Sequence, residues 1–99
     1  MNISLKNEKE TVKSLMKKEG YKELYVVNVY TENEVAGTHQ FYVYATKDEA
    51  VNYIHLCEQY YESTAQQYKK IKDGFTYVAN GVKMKNWFTL TRWHHKRAA

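Results

Sequence analysis

The dipeptide Asn80-Gly81 constrains this chain more than any other feature, because it joins residues 75–79 to a long alternating run that begins at Val82. Asn-Gly is the preferred two-residue hairpin turn, since both turn positions need positive φ. A two-residue loop also sets the register, putting Ala79 opposite Val82, Tyr77 opposite Met84 and Phe75 opposite Asn86. Strand side chains alternate between faces, so Val82, Met84, Phe88 and Leu90 share one face and read as core. Lys83, Lys85, Trp87, Thr89, Thr91 and Trp93 take the other.

A second hairpin precedes it. Residues 24–31 and 41–45 are rich in β-branched and aromatic side chains, and the polar stretch 32–38 between them reads as a loose loop. Thr46 stands three residues before Glu49, the capping-box spacing, and opens a helix expected to reach about Lys72. Lys69, Lys70 and Lys72 would complement the dipole of its last turn, with Gly74 as the stop. Ala50, Ile54, Cys57, Tyr61, Ala65, Tyr68 and Ile71 step by threes and fours along it. Val51, Tyr53 and Tyr60 widen that stripe to about half the cylinder, and Leu56 projects near the opposite edge. A shorter stripe of Val12, Leu15 and Met16 predicts a helix over 8–19, closed by Gly20. Such a short helix needs a surface to dock on. The expected fold is therefore α+β in the order α-ββ-α-ββ. It has a mostly antiparallel four-stranded sheet, the long helix on one face, and the N-terminal helix on the other face or at an edge.

The 99 residues fit a single domain, with residues 1–6 expected to be a disordered tail and 94–99 a basic one. The one cysteine, Cys57, has no internal disulfide partner, which points to a reducing compartment. No run of signal-peptide or membrane-spanning character occurs, so a cytoplasmic protein without a membrane partner is expected.

Catalytic signals are weak. Cys57 lies in the apolar stripe, away from His55, and reads as a small packed hydrophobe. His94 and His95 are adjacent and lack the spacing of a zinc site. Neither a nucleophile–base pair, a phosphate loop nor a paired-carboxylate pattern can be picked out. The expectation is no enzyme, no metal and no cofactor.

Charge is distributed unevenly. Residues 1–74 carry ten Lys against eleven acids, whereas residues 75–99 hold Lys83, Lys85, Arg92, Lys96 and Arg97 with no acid. Trp87 and Trp93 lie among these cations. We therefore read Lys83, Lys85, Trp87, Arg92, Trp93, Lys96 and Arg97 as a partner-binding surface. The expected partner is a protein with an acidic surface, since Trp and Arg are common interface anchors. Nucleic acid is the alternative, with rings stacking on bases and cations meeting phosphate. A solvated basic tail, or an N-terminal helix that buries both tryptophans, would leave this face without a binding role. The broad apolar arc of the long helix suggests a homodimer, with Leu56 and Tyr60 in the contact.

One stretch carries a resemblance. Tyr25-Val26-Val27, a polar loop, and then residues 41–54 (FYVYATKDEAVNYI) follow the order strand, loop, strand, Ser/Thr cap and acidic helix start. This resembles small uncharacterised phage and prophage accessory proteins, over residues 24–54 only. The resemblance implies no particular site residues. It implies a stoichiometric binder, such as an inhibitor or modulator of a host or defence protein.

Overall fold

The computed structural model describes residues 7–94. In chain order the elements are α1 (Glu8–Glu19), β1 (Glu23–Glu32), β2 (Gly37–Tyr44), α2 (Lys47–Thr64), β3 (Gln66–Ile71), β4 (Gly74–Ala79) and β5 (Val82–His94). The strands form one antiparallel sheet in the order β2-β1-β5-β4-β3. The two hairpins are thus sewn together by β1 and β5, which pair along ten residues from Glu23↔His94 to Glu32↔Lys85.

A sheet buried on both faces needs central strands that are apolar on both sides. β1 meets that demand. Leu24 and Val26 face α1, where Val12 and Met16 complete a small core, with Leu15, Phe41, Val43 and Trp93 packed around it. Val27 faces α2 and joins Ala50, Phe75, Tyr77 and Phe88 in the larger core. Tyr53, Ile54, Cys57 and Tyr61 of α2 pack against that second cluster. Tyr61 sits between Phe75 and Tyr77, with ring centroids at 5.1 and 4.7 Å.

Local chemistry sets the helix limits. Both helices start with a complete capping box, Asn7 with Glu10 and Thr46 with Glu49. Gly20 ends α1 in the left-handed conformation, at φ 75°. The Asn80-Gly81 turn has φ of 52° and 79°, and the strand register is the one its two-residue loop requires.

Several expectations are corrected. α2 ends at Thr64, not near Lys72, and the sheet has five strands because residues 66–71 form β3. The Ser63 and Thr64 hydroxyls both donate to the Tyr60 carbonyl, and Ala65 turns extended, which closes the helix. Tyr68 and Ile71 fit a helical stripe, but Lys72-Asp73 is a tight turn with Asp73 at φ 61°, and it returns the chain into β4. Lys70 then serves α2 from outside the helix, in an ion pair with Glu58 at 2.8 Å. The first hairpin is also longer and tighter than expected. Its strands reach Glu32 and Gly37, and Asn33 Oδ1 accepts the Val35 and Ala36 amides at 2.8 and 2.9 Å. Finally, Val82 and Leu90, read as core, are 43% and 37% exposed, Leu90 at the open edge of a depression that it shares with Val51 and Ile54 of α2.

Gly74, expected as a helix stop, has a different task. A Cβ there would stand 2.1 Å from the Asn86 carbonyl oxygen and 2.7 Å from Trp87 Cα. Only glycine lets β4 lie so close to the middle of β5. Beside it, the buried Asn86 accepts a hydrogen bond from the Tyr77 hydroxyl at 3.1 Å, so this polar group costs the core little.

Candidate binding surface

α1 covers only part of the sheet face on which it lies. Its contacts reach the rows of Leu24, Val26 and, through Glu8, Asn28, and leave Thr89, Thr91 and the ground beyond Asn28 uncovered. Along β5 this uncovered ground includes Thr89 and Thr91, both exposed, with Trp93 at one end and Trp87 towards the other. Strand geometry separates the two tryptophans by about 20 Å. The sequence-predicted residues therefore form two clusters at the ends of one strand and not a single patch.

At the end away from α1, the register places His39, Tyr30 and Trp87 side by side across β2, β1 and β5. Their rings form a ladder. Tyr30 stacks on His39 at 4.4 Å and on Trp87 at 5.0 Å, with interplanar angles of 5° and 10°. The Lys85 ammonium lies over the Trp87 ring, 5.1 Å from its centroid. Tyr30 and Trp87 are half-buried, while His39, Lys85 and Lys83 are exposed. The sheet row and the ring stacking were both missed in the sequence: the register of the first hairpin pairs Tyr30 with His39, but only the β1–β5 pairing brings Trp87 beside them.

No family model, curated protein or solved structure matches this chain. The geometry must carry the reading alone.

Charge in space differs from charge in sequence. Lys83 and Lys85 come from a segment without acids, yet they line a shallow hollow of about 430 Å³ together with Glu32 and Glu34 of the first hairpin. Glu32 is the cross-strand partner of Lys85. This end is thus of mixed sign.

The other cluster is tied to α1. The Trp93 indole N–H donates to Glu8 Oε2 at 2.7 Å, and Asn28 Nδ2 donates to Glu8 Oε1 at 3.0 Å. With Asn28 so engaged, its carbonyl oxygen is left to accept from His39 Nε2. The chain His39–Asn28–Glu8–Trp93 links the ring ladder to the first turn of α1 and satisfies the buried Asn28. Half of the burial alternative is therefore realised: α1 covers and holds Trp93 but leaves Trp87 outside its reach. Arg92 points to the opposite face in strand parity and pairs with Glu23, with Nη2 and Nε at 2.8 and 2.9 Å from Oε1. That bond holds the Glu23 carboxyl below its usual range, with the Tyr25 hydroxyl adding to the effect.

Lys96 and Arg97, the remaining predicted contacts, lie outside the described residues, as do His95 and the expected 1–6 tail. Leu56 and Tyr60 stand on the outer side of α2, 55% and 61% exposed. Cys57 is half-buried against the larger core. Among the described residues, no three His, Cys, Asp or Glu side chains come together as a metal site, and no helix is long and apolar enough to cross a membrane.

Proposed function

We propose that this chain is a non-enzymatic binding module whose partner is a protein, engaged through the open sheet face around Tyr30, Lys83, Lys85 and Trp87. A phage-type inhibitor or modulator of a host or defence protein, carrying an acidic surface at the contact, is the form of this activity that the reading favours. The observation that carries it is the ring ladder. Base-stacking sites offer free aromatic faces, whereas both faces of Tyr30 are covered here, and Trp87 is engaged by the Tyr30 ring and by the Lys85 ammonium. Such a ladder presents ring edges and a cation, which suits a protein surface better than stacked bases.

The test compares capture by the immobilised chain from cell lysate with and without nuclease, alongside binding to random DNA and RNA across a salt series. Protein captured after nuclease treatment, and lost on joint Lys83→Glu and Lys85→Glu replacement, supports the proposal. Affinity for nucleic acid that falls steeply with salt would transfer the function to the alternative.

Self-association through the outer side of α2 is a second element of the reading, because Leu56 and Tyr60 are exposed one turn apart. Sedimentation equilibrium tests it. A dimer that Leu56→Glu converts to monomer agrees with the proposal, and a monomer at micromolar wild-type concentration removes it.

A further inference from the structure

The open face has a second depression, where α1 meets the end of β5. This crevice of about 1010 Å³ has Met16 and Trp93 at its apolar base and Lys9, Lys13 and Lys17 along one side, with His94 and Arg92, the latter already paired with Glu23, completing the lining from β5. The three lysines are four residues apart and follow one edge of α1, rising about 6 Å per step. All three are exposed. Among the described residues none of them makes an ion pair. Of the acids in the first turn of α1, Glu8 already accepts from Trp93 and Asn28, and Glu10 accepts from the Asn7 amide in the capping box. An apolar base beside a row of uncompensated cations calls for an occupant that brings both apolar side chains and regularly spaced negative charge. Residues 95–99 hold Lys96 and Arg97 and no acidic side chain, so they do not supply that negative charge.

We infer that the crevice between α1 and β5 is a docking groove for an acidic amphipathic helix of a partner protein. A helix laid alongside α1 repeats its side chains with the same 6 Å step for residues four apart, as approximated by ideal helix geometry. Carboxylates at i, i+4 and i+8 then meet Lys17, Lys13 and Lys9, and apolar residues on the neighbouring stripe meet Met16 and Trp93. The inference rests on the protein-binding reading and gives the partner's chemistry at this end of the surface. It differs from that reading in the residues it uses, since Lys83, Lys85 and Trp87 are not among them.

The experiment titrates the full chain by calorimetry with a stapled helical 16-residue peptide that carries Glu at i, i+4 and i+8 and Leu on the adjoining stripe. A peptide with Gln replacing the three Glu residues and a 16-nucleotide oligo-dT are run in parallel. The Glu peptide binds, and the Gln peptide binds about tenfold more weakly, as expected for the loss of three exposed ion pairs together. Replacing Lys9, Lys13 and Lys17 jointly by Glu abolishes binding of the Glu peptide. The milder joint replacement by Gln, which keeps α1 intact by circular dichroism, weakens it by about the same tenfold. Equal binding of the Glu and Gln peptides, no binding of either, or tighter binding of oligo-dT each overturns the docking groove. If the groove fails while the Lys83- and Lys85-dependent capture persists, the protein-binding reading stands without it. If that capture fails while the Glu peptide binds as described, the groove stands and the ladder loses its role.

Discussion

At the residue scale, a few side chains carry effects out of proportion to their size. Gly74→Ala should lower stability severely, because the added Cβ meets backbone of β5 and not a movable side chain. A denaturant midpoint unchanged by the substitution would contradict the close approach. Gly81→Val should cost on the order of 1–2 kcal/mol, the strain of a β-branched residue at positive φ. The two tryptophans should separate in the same assay. Trp93→Phe keeps a ring against the α1 core but deprives the Glu8 carboxylate of a donor, a loss of about 1.5–3 kcal/mol for a hydrogen bond to a charged group. Titration supplies a further check. Glu23 has a folded pKa below its unfolded value, so its pair with Arg92 contributes stability above the unfolded value of 4.5 and loses it as the pH falls through the folded one. The destabilisation caused by Arg92→Gln, followed by thermal melts, should therefore shrink as the medium becomes acidic. Tyrosines behave in the opposite sense. Burial pushes Tyr77 up to about 12 and raises Tyr53 too. The unfolded chain ionises these phenols from about pH 10, as model tyrosine does, while the fold keeps them neutral, so stability falls above that pH. Ultraviolet titration should show a late-ionising set of tyrosines that loses one member in Tyr77→Phe.

At the element scale, the legible parts of the sequence are those in which short-range chemistry decides. The Asn80-Gly81 register, the Thr46–Glu49 capping box and the Gly20 stop needed no tertiary information. The end of α2 did. Tyr68 and Ile71 continue the helical spacing by coincidence, and Lys69, Lys70 and Lys72 resemble a helix C-terminus equally well. What decides against the helix is the tight Lys72-Asp73 return, with Asp73 at positive φ, together with the edge of β4 that needs a partner. Of the site, the cations and tryptophans of β5 were legible, whereas their separation into two ends, and their neighbours Tyr30, His39 and Glu32, depend on β1 lying next to β5. That pairing joins residues far apart in the chain. Lys9, Lys13 and Lys17 were visible as charges, but only docking of α1 makes them the wall of a crevice. The anchor of α1 is testable as well. Glu8→Ala leaves Asn28 Nδ2 and the Trp93 N–H without their shared acceptor, so hydrogen exchange should show α1 amides losing protection while β1 and β5 keep theirs.

At the scale of the whole molecule, two helices on opposite faces leave one long uncovered lane along β5, flanked by α1 and ending in the ring ladder. The central claim is that this lane binds a protein, with the ladder at the contact. Incorporating a photoreactive side chain at Thr76, the β4 neighbour of Lys85, and separately at Gln59 on the exposed side of α2, tests it most directly. After irradiation in cells, the account predicts a discrete protein adduct from position 76 that disappears with Lys83→Glu and Lys85→Glu. An adduct formed only from position 59, or one from position 76 that consists of nucleic acid, would contradict it.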